Sequence, residues 1–169
     1  PVTAPTVSNS SGSNVAFGTA TSITFVNGVA TVSGGNNGVM RLYRAQSRTI
    51  TVTDGSRSSS GNDALAVTVS AGALGKFAWS LTSPQTNGVT FTGTDILTAQ
   101  DDWGNTDSSF DASAKPVTVT SSLAGTITGL GSGGNNILNR STDFSSGVAV
   151  LNGKMKYTGA SGSGTFTAS

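Results

Sequence analysis

The stretch FVNGVATV, Phe25–Val32, returns 119 residues later as FSSGVAVL, Phe144–Leu151. Each copy is followed by a basic segment that contains methionine, Met40–Tyr43 in the first case and Met155–Tyr157 in the second. Both copies keep the Gly-Val-Ala core and the aromatic residue that precedes it. The two halves of the chain therefore share one local sequence pattern.

The repeated pattern extends to an alternating segment, Thr49–Val52 in the first copy and Thr165–Ala168 in the second. The spacing of the copies is close to the length of one β-sandwich domain, about 100 residues. The repeat therefore predicts two serial β-sandwich modules. We expect a partial module over residues 1–70, with an extended N-terminal segment, and a second module over residues 71–169.

The composition favours an all-β fold and excludes several classes of partner. The chain has 169 residues, of which 10% are charged, and Glu is absent. Residues suited to strands and turns are abundant, and residues that favour helices are scarce, so we expect almost no helix. A net charge of +1 gives no broad field to attract nucleic acid. No apolar run approaches the roughly 20 residues of a membrane helix, so we expect no membrane insertion.

The residue inventory also argues against catalysis. The chain has no His and no Cys, which excludes histidine acid–base chemistry, cysteine nucleophiles, disulfides and the common zinc sites. The acidic residues concentrate at Asp101, Asp102, Asp107 and Asp111. Neighbouring carboxylates on a strand point to opposite faces, which makes a glycosidase pair a poor fit. We expect no enzyme and no cofactor, with Ca²⁺ at these four residues as a weak alternative to plain turn chemistry.

Alternating apolar residues bounded by turn residues predict the individual strands. The predicted strands are Thr21–Val26, Val29–Ser33, Val39–Arg44, Arg48–Thr53, Ala64–Ser70, Lys76–Leu81, Gly88–Thr92, Asp95–Gln100, Lys115–Ser121 and Thr126–Leu130. Asn27-Gly28 predicts a tight hairpin between the first two. Phe77, Trp79 and Leu81 share one face of their strand and are predicted to be core. Residues 1–13 are either a linker or an edge strand blunted by prolines.

Three segments resemble bacterial Ig-like repeats of the invasin-like or filamin-like kind, which occur in large secreted cell-surface proteins. They are Thr94–Thr106 (TDILTAQDDWGNT), Asn27–Val32 and Thr49–Ser56. The resemblance implies tandem Ig-like β-sandwich modules and an extracellular or cell-surface location. Independently of the family, Asp101 is expected to accept backbone amides across the Gly104-Asn105 turn, and Trp103 to cap the end of the sandwich.

Measured against that family pattern, both modules look incomplete. The first has too few residues before its Gly-Val-Ala segment, and the second lacks a partner strand like Ala64–Ser70. One explanation is that the chain is a spacer fragment of a longer repeat protein. The other is self-assembly, in which residues 1–13 of one copy supply a strand to the second module of the next copy. The interface candidates are then Val2, Ala4 and Val7, and the partners are copies of the chain arranged head to tail.

Two functions follow from these alternatives. The first is a structural subunit of an extracellular filament, fibre or surface layer. The second is an adhesin or carbohydrate-binding module that contacts glycans or a host or neighbouring surface. Because Trp79 is expected to be core, Trp103 is the candidate ligand contact in the second case.

Overall fold

The computed structural model describes residues 3–169, and these form β-strands together with a single turn of 3₁₀ helix at Gly61–Asp63. The described residues contain no α-helix, so the predicted all-β class is confirmed. The chain divides into two compact units, Pro1–Ser70 and Ala71–Ser169. The two units are called unit 1 and unit 2 below.

Unit 1 contains five short strands in two separate sheets. The strands are β1 (Thr6–Ser8), β2 (Asn14–Ala16), β3 (Met40–Arg41), β4 (Gln46–Ile50) and β5 (Leu65–Val69). One sheet has the order β2-β1-β3 and the other is the antiparallel pair β4-β5. Among the residues described in this unit, Ser8 alone is fully buried. Unit 1 therefore has secondary structure without an apolar core.

The N-terminal segment is neither a linker nor an edge strand, contrary to both predicted alternatives. Its strand β1 is the middle of a sheet, where Val7 pairs with Val15 on one side and with Met40 on the other. The chain reverses after β1 because the Asn9 side chain accepts hydrogen bonds from two backbone amides, of Ser11 and Ser13. A Pro/Ser/Thr-rich segment can thus form a hairpin when an Asx turn lies at its tip.

The three interface candidates of this segment have different positions. Val7 is half-buried in β1, and Ala4 is exposed just before that strand. Val2 lies outside the described residues. Val7 belongs to strand β1, and both neighbours of that strand come from its own chain.

The predicted strands Thr21–Val26 and Val29–Ser33 do not form as strands. This region contains only the turn bridges Val26↔Val29 and Ser33↔Asn36. The side-chain amide of Asn37 takes the place of a neighbouring strand: its oxygen accepts from the Thr24 amide at 2.7 Å, and its nitrogen donates to a carbonyl at 3.0 Å. Alternating apolar residues become a strand only when a second backbone supplies the ladder of hydrogen bonds, and no described segment supplies it here.

Unit 2 contains eight strands. They are β6 (Lys76–Ser80), β7 (Ile96–Gln100), β8 (Val117–Ser121), β9 (Gly125–Thr128), β10 (Ile137–Leu138), β11 (Val148–Val150), β12 (Lys156–Gly159) and β13 (Phe166–Ala168). They form sheets of order β11-β7-β6, β10-β8-β13 and β12-β9, all antiparallel. The predicted strand Gly88–Thr92 is reduced to one bridge, Thr90↔Lys156.

Alternate residues of these strands build one apolar core. Its fully buried members include Leu97, Val117, Val119, Leu130, Leu151 and Met155. Each such side chain contributes about 1.5–3 kcal/mol relative to an exposed one. Phe77, Trp79 and Leu81 pack against this core, as their shared face predicted. Every buried apolar side chain of the described residues lies in unit 2.

Candidate functional site

A cleft opens in unit 2 where two sheets end at strands that have only one neighbour each. Strand β6 is the last strand of one sheet, and β13 is the last strand of another. Between them lies a cleft of about 590 Å³, a size within the range of ligand-binding clefts. Its apolar lining includes Trp79, Leu81, Phe91, Leu123, Tyr157 and Phe166. We call it the β6/β13 cleft.

Phe166 is the centre of the aromatic floor of this cleft. Its ring lies 5.6 Å from the Phe91 ring and 6.1 Å from the Tyr157 ring, both in edge-to-face geometry. The Trp79 ring lies 6.3 Å from Phe166 and connects β6 to β13. Such ring pairs add a modest attraction to the area that they bury, so the floor is a fixed surface.

Two polar side chains of the cleft wall, Gln85 and Asn87, are hydrogen-bonded within the chain. The Gln85 amide donates to the carbonyls of Thr82 and Thr92, each at 2.9 Å. The Asn87 side chain exchanges two hydrogen bonds with the Gly159 backbone, at 2.8 and 3.1 Å. A site built for a sugar or another polar ligand directs unsatisfied polar groups at its ligand. This arrangement therefore favours an apolar occupant.

Two buried polar side chains, Tyr157 and Asp95, hold loops of the cleft wall in place. The Tyr157 hydroxyl lies 2.9 Å from the Ala124 carbonyl oxygen, to which it donates, and 3.1 Å from that of Ala160. The fully buried Asp95 accepts a hydrogen bond from the Thr82 amide at 2.8 Å, at the start of the opposite wall. Both contacts fix loops next to the cleft.

The outer backbone edge of β13, next to the cleft-lining Phe166, has hydrogen-bonding capacity. Thr165 and Ser169 bond to β8, the amide of Ser122 donating to Thr165 at 3.0 Å. Because backbone groups alternate along a strand, the N–H and C=O groups of Phe166 and Ala168 point away from β8. Among the described strands, β8 is the sole neighbour of β13. An exposed edge of this kind is a template for another strand.

A second unusual surface lies in unit 1, and the sequence repeat makes it measurable. Phe25 is 63% exposed, whereas its counterpart Phe144 in unit 2 is 5% exposed. Val32 is 54% exposed and its counterpart Leu151 is fully buried. Met40 is 40% exposed, while Met155, which follows the second copy, is fully buried. The residues Phe25, Val26, Val29 and Val32 are called the unit 1 apolar stripe.

The two copies have the same local backbone, so the difference in burial comes from the surroundings. Asn27 and Gly28 have φ angles of 49° and 78°, and Ser146 and Gly147 have 49° and 79°. Positive φ at both central residues is the type I′ hairpin turn. In unit 2 the strand after this turn, β11, pairs with β7. The described residues of unit 1 contain no strand that pairs with residues 30–32.

The acidic residues predicted as a weak Ca²⁺ alternative are distributed over three separate turns. Asp101 is buried and accepts four hydrogen bonds, three of them from the amides of Gly72, Trp103 and Asn105 at 2.8–2.9 Å. Asp107 accepts bonds from Ser109, and Asp111 does the same for Ser113, within two residues of each. Asp102 is exposed. Across residues 3–169, no three acidic side chains are grouped as a metal site.

The pKa of Asp101 is lowered from 3.8 to about 2. Burial alone would raise this pKa, but the hydrogen bonds from the Asn105 side chain and from the three amides outweigh it. The predicted turn role of Asp101 is therefore observed. Its neighbour Trp103, the predicted ligand contact, is 47% exposed and is not part of the β6/β13 cleft.

Searches against protein-family models, curated proteins and solved structures found no match to this chain. In the described part of the chain, no helix has the length and apolar character needed to cross a membrane. The functional argument therefore starts from the two surfaces described above.

Proposed function

We propose that this chain is a structural subunit of an extracellular surface assembly, a filament, fibre or surface layer, built from tandem Ig-like β-sandwich modules. Its subunits are held together by β-strand complementation, in which a strand of one copy completes a sheet of the next. Contacts between unlike surfaces need not close into a ring, so repeated copies extend head to tail.

The observation that carries this proposal is the unit 1 apolar stripe. The same sequence unit has a buried phenylalanine and a paired strand in unit 2, and an exposed phenylalanine without a paired strand in unit 1. Burying one such large apolar side chain is worth about 1.5–3 kcal/mol. Exposed apolar side chains next to backbone that no strand pairs mark a protein contact site.

The structure bears on the donor that the sequence predicted for this assembly. Strand β1 already lies between β2 and β3, so residues 1–13 can act as a donor only by exchanging both pairings for intermolecular ones. Such an exchange would be a domain swap. Our proposal therefore rests on the acceptor edge at residues 30–32 and not on a donor role for Val2, Ala4 and Val7.

The test is assembly of the full chain with and without the stripe. Analytical ultracentrifugation and electron microscopy of the purified protein should reveal linear oligomers that grow with concentration. The double substitution Phe25→Ser and Val32→Ser should reduce assembly strongly, while Val150→Ser, which removes an exposed valine from unit 2, should not. A wild-type chain that stays monomeric at every concentration would refute the proposal.

Glycan binding is the second candidate, supported by the exposed Trp103 ring. Binding of sugars to a glycan array, lost in Trp103→Ala and retained in the stripe double variant, would favour this function over assembly. The hydrogen-bonded state of the polar groups at the β6/β13 cleft argues against a sugar site there.

A further inference from the structure

We infer that Asn27-Gly28, the turn between Val26 and Val29 of the unit 1 apolar stripe, is a site of spontaneous deamidation, and that the carboxylate formed there weakens assembly. Loss of ammonia from an asparagine side chain is a covalent change that needs water and no enzyme. The site depends on the local structure alone, whereas its effect on assembly rests on the proposed function.

Deamidation begins when the backbone nitrogen of Gly28 attacks the side-chain carbonyl carbon, Cγ, of Asn27. The new N–Cγ bond closes a succinimide ring, the bond from Cγ to the side-chain nitrogen breaks, and that nitrogen leaves as ammonia with the proton of the Gly28 amide. Water then opens the ring at either carbonyl and gives aspartate or isoaspartate. Glycine favours the attack because it has no side chain to hinder the close approach of its backbone.

The chain has four Asn-Gly sequences, and they differ in their hydrogen bonds. Their asparagines are Asn27, Asn37, Asn87 and Asn152. In three of the four, the glycine amide donates to a backbone carbonyl at 2.7–2.8 Å; the pairs are Gly38 with Ser8, Gly88 with Tyr157 and Gly153 with Phe91. A glycine nitrogen held in this way attacks the neighbouring side chain only after its hydrogen bond is broken.

The Asn27-Gly28 pair has no such restraint. Neither residue makes a hydrogen bond to any other residue that the structure describes, and both are exposed. An added Cβ at Gly28 would meet nothing within 4 Å, so the space around the turn is open. Rotation of the Asn27 side chain towards the Gly28 nitrogen therefore breaks no hydrogen bond of either residue.

Asn152-Gly153 is the matched internal control. Both pairs are exposed, and Gly28 and Gly153 have φ angles of 78° and 72° with open space for an added Cβ. The pairs differ at the glycine amide, which donates to the Phe91 carbonyl in Gly153 and has no acceptor among the described residues in Gly28. Asn37 and Asn87 are restrained further, because their side chains also make hydrogen bonds.

The product would place a charge in a region that has none. Residues 1–40 contain no Asp, Glu, Lys or Arg. The new carboxylate would form between Val26 and Val29, which are 68% and 62% exposed. A partner strand that covers the stripe would bury this charge without an opposite charge from the same segment, which is unfavourable. Deamidation would therefore limit the time over which a free subunit can assemble.

The site is tested by mass spectrometry of the full chain, incubated in dilute neutral buffer and digested at intervals. The same chain unfolded in guanidinium chloride gives the reference rate at each Asn-Gly sequence. We expect the ratio of folded to unfolded rate to be at least about fivefold higher at Asn27 than at Asn152, the factor for one hydrogen bond of about 1 kcal/mol. Equal ratios at the two sites, or no reaction at Asn27 while the unfolded chain is converted, overturn the inference.

Two substitutions test the effect on assembly. Asn27→Ser removes the reactive amide and keeps the turn, because its counterpart Ser146 has the same φ of 49°. Asn27→Asp carries the charge of the product, and Asp-Gly also suits this turn. We expect Asn27→Ser to assemble like fresh wild type and Asn27→Asp to need at least about tenfold more protein. Circular dichroism establishes that both variants are folded.

The outcomes separate this inference from the proposed function. Equal assembly of Asn27→Ser and Asn27→Asp overturns the effect of the charge and leaves the proposed function standing. A wild-type chain that never assembles refutes the proposed function, and the deamidation rates still decide whether Asn27 is the reactive site. Slower deamidation of Asn27 in assembled than in dilute protein supports both, because a covered turn is held and shielded.

Discussion

Replacing Asp101 with asparagine tests the best-defined polar site of unit 2. The carboxylate accepts four hydrogen bonds, and its Oδ2 atom faces two donors, the Gly72 amide and the Asn105 side-chain nitrogen, at 2.9 and 2.8 Å. In the Asp101→Asn variant, one of the two oxygens becomes an NH₂ group, which cannot accept a hydrogen bond. Whichever way the amide is oriented, the NH₂ group faces one of the two donor pairs, and the hydrogen bonds from that pair are lost. Bonds to a charged group are worth about 1.5–3 kcal/mol each, and the remaining pair is partly kept, so we expect a loss of about 2–4 kcal/mol.

The pH dependence gives a second and independent test of the same site. A carboxyl whose pKa is lowered in the folded state stabilises the protein fully above its unfolded pKa of 3.8, and this contribution is lost as the pH falls towards about 2. The full difference corresponds to about 2.4 kcal/mol, and because the buried carboxylate lies in a turn whose next residues, Asp102 and Trp103, are exposed, screening by nearby solvent reduces it to about 1–2 kcal/mol. The difference in the free energy of unfolding between wild type and Asp101→Asn should therefore decrease by about 1–2 kcal/mol as the pH falls from 5 to 2.

Urea denaturation followed by tryptophan fluorescence measures both effects, because Trp79 and Trp103 both lie in unit 2. The exposed neighbour Asp102 supplies the control, and Asp102→Asn should change the free energy of unfolding by less than about 0.5 kcal/mol. The reasoning fails if Asp101→Asn is as stable as wild type at pH 7, or if the gap between them is the same at pH 3 as at pH 7.

Three further tests use the repeat and the cleft walls. Met155→Ala should lower the free energy of unfolding by about 2–5 kcal/mol, because it leaves a cavity at a fully buried site. Met40→Ala, at an exposed site, should lower it by less than about 1 kcal/mol in dilute protein. Equal losses of stability in calorimetry would contradict the difference in burial. Gly147→Ala should destabilise its hairpin more than Gly28→Ala does. Both glycines have positive φ, so both substitutions strain the backbone. An added Cβ at Gly147 would also lie 2.4 Å from a backbone oxygen, whereas at Gly28 it would meet nothing within 4 Å. We expect about 1–2 kcal/mol for Gly28→Ala and a larger loss for Gly147→Ala, measured by hydrogen exchange of each hairpin. Tyr157→Phe removes the hydroxyl that contacts the carbonyl oxygens of Ala124 and Ala160, and it should lower the free energy of unfolding in urea by about 1 kcal/mol. An unchanged free energy of unfolding would mean that this hydrogen bond does not hold the cleft wall.

The sequence predicted unit 2 far better than unit 1, and the reason is physical. The predicted strand Lys76–Leu81 corresponds to β6, Lys76–Ser80, within one residue. Its alternation agrees with the environment, since a core exists for one face to enter. Thr21–Val26 has the same kind of alternation and does not form a strand. Alternation of apolar residues indicates that a segment is suited to a strand. Whether the strand forms depends on a neighbouring strand that lies elsewhere in the chain.

The candidate site divides along the same line. The Asp101 turn was predictable because an Asx turn depends on residues within a few positions of the carboxylate. The β6/β13 cleft was not, because Trp79, Phe91 and Phe166 are brought together only by the packing of distant strands. The role of Gln85 and Asp95 in holding one wall left no recognisable pattern.

The matching hairpin tips have a consequence for the order of events in folding. A two-residue loop of this type closes within microseconds, whereas β11 must find β7, which pairs Val148 with Thr98, a residue fifty positions earlier. We expect both tips to form early and independently of any sheet. In unit 1 the turn is then already ordered but has no paired strand beside it. A strand that binds there therefore loses mainly its own conformational entropy, because the acceptor backbone is ordered beforehand.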